Sequence, residues 1–166
     1  MASSRPRSVA EEIRQRIPLS RGQEAMVALL KTADDIRHYF AHRLAPDGIT
    51  LQQYNVLRIL RGAGSDGLPT LDIAERMVER HPGVTRLVDR LIGKGLVERR
   101  RGVEDRRQVF CSITPEGLAL LTRLDGEFEA GDRLIRAVLP GDDLTSLIER
   151  LDRVREGFRE ADQGGS

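Results

Sequence analysis

A mainly helical fold with a small antiparallel β element, an α+β arrangement, is the class that this chain predicts. Three features of residues 81–117, HPGVTRLVDRLIGKGLVERRRGVEDRRQVFCSITPEG, carry that expectation. A helix with an apolar stripe ends at a glycine. A short strand, a basic turn built on Asp105-Arg106-Arg107 and a second strand come next. The second strand then runs directly into another helix. A helix followed at once by a basic two-stranded turn is the winged helix-turn-helix arrangement, whose helix can lie in a DNA major groove while the turn reaches the adjacent minor groove.

Residues 1–19 are polar and contain Pro6 and Pro18, so they read as a flexible N-terminal arm with some helix around 9–16. Ser20, with Gln23 three residues on, is a capping-box pattern that opens a long helix. Its apolar stripe runs through Met26, Val27, Leu30, Ala33, Ile36, Tyr39 and Phe40, and Pro46-Asp47-Gly48 ends it. Thr50 with Gln53 repeats the cap. Leu51, Tyr54, Val56, Leu57 and Leu60 form the next buried face, which Gly62 to Gly67 break. Thr70 should then cap a short helix, LDIAERMVER, with Leu71, Ile73, Ala74, Met77 and Val78 inside.

Pro82 suits the first turn of the following helix, where its missing N–H is not needed. There Val84, Leu87, Val88, Leu91 and Ile92 point one way and Thr85, Arg86, Asp89 and Arg90 the other, until Gly95 stops the helix. Residues 96–100 and 108–113 read as strands flanking the basic turn. Thr114-Pro115-Glu116-Gly117 launches a helix to about 138, which Pro140-Gly141 breaks. A last helix over about 142–160 carries Leu144, Leu147, Ile148, Leu151, Val154 and Phe158 on one stripe, and residues 162–166 read as a disordered tail.

Composition agrees with packed helices. Apolar residues make up 39% of the 166 and support a core, while Trp is absent and aromatics reach only 4%, so that core must be Leu, Ile, Val and Ala. The net charge of +1 hides a segregation: residues 76–107 hold ten Lys/Arg against five Asp/Glu, and residues 115–166 hold seven against twelve. A basic centre beside an acidic C-terminal part fits a polyanion-binding face on one module, and charge alone would also fit an acidic protein partner. The single Cys111 excludes an intrachain disulfide and agrees with a reducing compartment. No apolar run approaches a membrane span, and the N-terminus lacks the apolar stretch of a signal peptide, so a cytoplasmic protein with no membrane partner is expected.

The first helix and the last two carry apolar stripes outside the compact module, and a stripe must be buried against something. Pooling them between two copies of the chain gives a symmetric dimer; folding them onto the module is the alternative. The dimer is the expectation, held by helices of residues about 20–45 and 115–160 around a winged helix-turn-helix of about 50–114, within one domain of residues 20–161.

Residues 51–117 resemble the MarR family of bacterial transcription regulators. The matching stretches are LQQYNVLRIL, LDIAERM, GVTRLVDRLIGKGLVERR, EDRRQV and ITPEG, specific in combination though weak singly. With the flanking helices in place, the likeness spans about residues 20 to 160. Ile113 departs from the family's common Leu, and the arm is longer than the pattern requires. The resemblance implies a homodimer on a pseudo-palindromic double-stranded DNA operator. It also implies release by a small, often phenolic, ligand bound between the dimerisation helices and the DNA-binding lobe, although other members respond to oxidation or metals.

Several residues follow as candidates. A helix in the major groove needs short donors near its N-terminus and Arg for guanine O6/N7, which points to Thr85, Arg86 and Arg90. Pro82 and Gly83 let that helix start approach a phosphate. The bland reading is a solvated face with Asp89 pairing Arg86 or Arg90. In the wing, an Arg is drawn into a narrow minor groove by its negative potential and gains from an acceptor that fixes it. By resemblance, Asp105 orients Arg107 into the groove and Arg106 stays near the backbone. Arg99, Arg100 and Arg101 would add phosphate attraction.

His38, Tyr39, His42 and Tyr54 could form an effector pocket for an aromatic acid or phenol, or could be packed core. The same first helix bears Arg37 and Arg43, which would face the partner helices or that cavity. His38 and His42 lie one turn apart, but no third ligand stands out, with Asp34 or Asp35 the available acids, and no metal is expected. Cys111 alternates with Val109 and Ile113, which suggests a packed thiol rather than a redox sensor. No catalytic residue or cofactor motif emerges. A sequence-specific DNA-binding regulator, most simply a repressor, is therefore the first reading. A winged-helix protein-interaction module is the alternative, disfavoured because docking faces usually expose aromatics.

Overall fold

The computed structural model describes residues 8–14, 16–79, 83–101 and 108–165. The chain divides into two compact units, Met1–Leu121 and Thr122–Ser166.

The first unit opens with α1 (Val9–Glu12), where Ser8 and Glu11 form a capping box. The following helix, α2 (Arg21–Leu44), is capped by the expected Ser20–Gln23 exchange. Lys31 Nζ lies 3.5 Å from the Glu12 carboxylate, so this part of the expected flexible arm is helical and rests on α2. Thr50 and Gln53 cap α3 (Leu51–Ala63) in the same way, because both patterns satisfy orphan backbone N–H groups with residues only three apart. Tyr54, Val56, Leu57 and Leu60 of α3 are buried and pack against α4 (Thr70–Arg76) and α5 (Val84–Gly93). From the latter come Val84, Leu87, Val88 and Leu91. Each fully buried aliphatic side chain contributes about 1.5–3 kcal/mol, so stabilisation concentrates along this three-helix seam.

The segment around α4 departs from expectation. Thr70 is not the cap: Pro69 occupies that position without a side-chain bond, and the Thr70 hydroxyl instead lies 3.9 Å from Cys111 Sγ. Leu71 and Val78, expected inside, are 77% and 85% exposed. For Val78 the reason is that Met77 turns to extended backbone, ψ 138, and ends the helix after Arg76, so the helical periodicity does not reach it; Leu71, in the first turn of α4, lies on the face turned away from buried Ile73.

Three strands rather than two form the sheet. Its order is β1-β3-β2, all antiparallel, with β1 (Leu68–Pro69) and β2 (Val97–Arg101) on either side of β3 (Val109–Ile113). Val97 pairs with Ile113 and Arg101 with Val109, so β2 and β3 form the base of the wing, while Leu68 pairs with Cys111. A two-residue strand shows no alternation to read, and its proline is tolerated because β1 is an edge strand. Cys111, on the central strand, is fully buried as expected.

Gly95 stops α5 by local geometry. With φ +70 it lets its own N–H donate to the Ile92 carbonyl and the Leu96 N–H donate to Leu91, a Schellman motif. The helix after the sheet, α6 (Pro115–Val138), begins beside this turn. The Thr114 hydroxyl accepts from the Gly117 N–H at 3.1 Å and donates to the Gly95 carbonyl at 2.7 Å. A Cβ at Gly117 would stand 2.4 Å from the Leu96 carbonyl oxygen, so only glycine permits this approach.

The second unit holds the rest of α6 and α7 (Asp142–Gly164). Pro140 and Gly141 separate the two helices as expected. The last helix continues to Gly164, through residues 162–164 of the expected disordered tail. Leu134, Ile135, Val138, Leu147, Ile148, Val154 and Phe158 are exposed large apolar residues of this unit. No helix among the described residues is long and apolar enough to cross a membrane.

Candidate nucleic-acid interface

The recognition surface follows from the amphipathy of α5. Burial of Val84, Leu87, Val88 and Leu91 against α3 and α4 turns Thr85, Arg86, Asp89 and Arg90 to solvent. Arg86 and Arg90 form no ion pair among the described residues. Gly83 stands in the N-cap position and, having no side chain, supplies no side-chain cap of its own. Backbone N–H groups and cations on one exposed helix face suit phosphate and base edges. Pro82, Asp105, Arg106 and Arg107 lie outside the described residues.

The acid on this face is engaged elsewhere than expected. Asp89 accepts from Arg99 on β2 at 2.6 Å, which joins the recognition helix to the wing and leaves Arg86 and Arg90 without that partner. Burial pulls the Arg99 pKa down, but the bond and charge of Asp89, with smaller contributions from Cys111, hold the guanidinium above its usual value. Arg100 is folded onto its own sheet and loop. It donates to Ser112 Oγ at 3.2 Å and to the Ser65 carbonyl at 2.5 Å, with Glu98 3.5 Å away. Of the three arginines in β2, two are thus tied within the protein, while Arg101 is exposed and makes no ion pair among the described residues.

Long-range bonds that sequence reasoning missed fasten the segment ahead of α5. The Val78 N–H donates to Asn55 Oδ1 at 3.0 Å. Glu79 accepts from Arg37 at 3.3 Å and from Gln52 at 3.1 Å, one donor to each carboxylate oxygen. No local pattern marks these five residues, because the bonds join the segment after α4 to α2 and α3.

The candidate effector residues are dispersed. Tyr54 is buried. Tyr39 is half-buried, with the Arg43 guanidinium 3.4 Å above its ring and Phe40 edge-on at 5.1 Å. His38 and His42 are exposed, and His38 Nδ1 lies 3.7 Å from Asp34. None of the four lines the cavity of about 390 Å³ beside them, which is bounded by Arg37, Ala41, Ala45, Ile49, Thr50, Leu51 and Gln52. Arg37 and Ala41, with Ala45 just past the end of α2, form the neighbouring row, one residue out of step with His38 and His42.

Comparison with known proteins agrees with this geometry. The MarR family model matches residues 49–109, from just before α3 to the first residue of β3. The Escherichia coli homoprotocatechuate degradative operon repressor is 30% identical over 126 residues, covering 76% of this chain and 84% of the relative. The crystal structure of a MarR transcription factor from Planctomyces limnophilus is 35% identical, covers 82% of this chain and 98% of its own, and superposes with a TM-score of 0.61. That of the S. aureus MepR–DNA complex, 19% identical with coverages of 84% and 99%, shares the fold at a TM-score of 0.74. The chain belongs to the MarR family of DNA-binding transcription regulators, which are not enzymes.

Proposed function

We propose that this regulator is a cytoplasmic homodimeric repressor that binds a pseudo-palindromic operator and is released by a small aromatic effector. The observation that carries it is the exposed Thr85-Arg86-Arg90 face of α5, whose one acid is taken by Arg99. Thr85, Arg86 and Arg90 read bases and phosphates in the major groove, Pro82 and Gly83 bring the helix start to the backbone, and Asp105 steers Arg107 into the minor groove beside Arg106. Exposed Met26 and Leu30 on α2, together with the apolar side chains of α6 and α7, support dimerisation through residues 20–45 and 115–160. Two recognition helices would then meet half-sites roughly 34–36 Å apart. An aromatic effector is supported by the name of the 30% identical E. coli relative, which ties it to homoprotocatechuate degradation. His38, Tyr39, His42 and Tyr54 remain candidates for its pocket.

The test is fluorescence anisotropy against the DNA upstream of the chain's own gene, with scrambled DNA as competitor. Binding that survives competition is expected. Equal affinity for both DNAs would reject operator recognition, and capture of a protein partner instead would favour the interaction-module reading.

A further inference from the structure

The turn that follows α5 is bonded to both places where the chain passes between the DNA-binding module and the long helices α2 and α6. On the α6 side the Gly95 carbonyl accepts from the Thr114 hydroxyl at 2.7 Å, one residue before that helix begins. On the α2 side Lys94 Nζ donates to the Gly48 carbonyl at 2.8 Å, across 46 positions of sequence. Gly48 stands in the left-handed region, φ 68, and closes the 3-10 turn Ala45–Asp47 through which α2 ends. The helical run thus presents the negative end of its backbone dipole to the ammonium. Leu44 and Ile49, on either side of this turn, are buried, so the acceptor does not yield on its own.

Lysine is scarce in this chain. Of its 27 Lys/Arg residues only Lys31 and Lys94 are lysines, and each bridges separate elements, Lys31 to Glu12 of α1 and Lys94 to the end of α2. A compact ammonium suits a single carbonyl, whereas a guanidinium fork suits a two-oxygen partner. Lys94 is exposed, and a bond so open to water adds little to stability beside the buried seam. Its consequence is geometric. We propose that Lys94 is a positioning residue for DNA binding: through Gly48 it sets the angle at which α5 and its seam are carried on α2, and so the separation of the two recognition helices in the dimer. Its ammonium serves this bond and not a phosphate. This goes beyond, and rests on, the reading of a homodimer on two half-sites.

The experiment uses the full chain and three DNAs: the operator from the upstream region, and the same operator with one base pair inserted or removed between its half-sites. Each base pair shifts the half-site centres by roughly 3.4 Å and turns one against the other by roughly 35°. Affinity is read by anisotropy across a salt series. The wild-type chain should prefer the native spacing. Lys94→Met keeps the length of the side chain and removes its donor. It should bind the native operator about 5-fold more weakly, at the low end of the usual coupling between sites, and lose less on the respaced DNAs, so that the preference narrows. Its salt slope and thermal unfolding should match wild type. Lys94→Arg, which can still donate to Gly48, should restore most of the preference.

An equal loss by Lys94→Met on all three DNAs would overturn the positioning role, since a general loss of stability does not distinguish spacings. A salt slope lower by about one unit would make Lys94 a phosphate contact instead. A wild-type preference that survives unchanged in Lys94→Met would reject the proposal and leave the dimer standing. A wild-type chain indifferent to spacing would reject the homodimeric reading, and the role of Lys94 with it.

Discussion

Asp89 on α5 and Arg99 on β2 meet at 2.6 Å, so the acid on the exposed face of that helix is neutralised by the strand beside it. With side chains 50% and 38% exposed, the pair should stabilise the fold by less than about 1 kcal/mol. Its larger effect is to withhold Arg99 from phosphate. Asp89→Ala should therefore change the unfolding midpoint little, yet steepen the dependence of log Kd on log salt by roughly one unit. An unchanged slope in a salt series would show that Arg99 stays off the DNA even when released.

Arg86→Ala should weaken operator binding by about 1–3 kcal/mol and relax preference at one base position. Arg107→Ala and Asp105→Ala should weaken it too, with the double variant less than additive if Asp105 acts through Arg107. Competition assays with single-base operator variants give the first result, and a double-mutant cycle gives the second. Tighter binding by Asp105→Ala would make Asp105 a repulsive charge instead of a guide.

The Thr114 hydroxyl accepts from Gly117 and donates to Gly95 at once. Thr114→Val should cost about 1–2 kcal/mol through the lost cap and the unsatisfied carbonyl, and Thr114→Ser should retain most of it. Gly117→Ala forces a methyl against the Leu96 carbonyl oxygen and should cost about 1–3 kcal/mol. Urea unfolding of the three variants checks these values. A silent Gly117→Ala would mean that α6 can retreat from the sheet without loss.

What was legible in the sequence was what short-range rules govern. Ser20 and Thr50 announce their helices because the cap partner sits three residues on, and Gly95 ends α5 because its φ is positive. The polar face of α5 follows from its period alone. Where partners are distant, the chain is silent. Glu79 finds Arg37 across 42 positions and Gln52 across 27, and Arg100 finds Ser65 across 35. Arg99 and Arg100, read from the sequence only as sources of phosphate attraction, are also bonded within the protein. Val78 misled for a related reason: its backbone is anchored to Asn55 while its side chain faces water.

Phe158 is 62% exposed on α7, in line with Val154 and Leu147. Phe158→Asp should convert a dimer into a species near 18.6 kDa, because a charge cannot be buried unpaired in an apolar interface without large cost. Light scattering at micromolar concentration distinguishes the two masses. A wild-type chain already at the lower mass would remove the dimer altogether.

The fastening at Gly95 also dictates how α5 can move. Its last turn is clamped by two backbone bonds and the Thr114 hydroxyl, and Val84 in its first turn is buried together with Leu87, Val88 and Leu91. A close-packed element held at both ends cannot bend or swing on its own. The helix therefore travels as one body with the seam beneath it, and any displacement of that seam arrives undiminished at the exposed side chains of Thr85, Arg86 and Arg90.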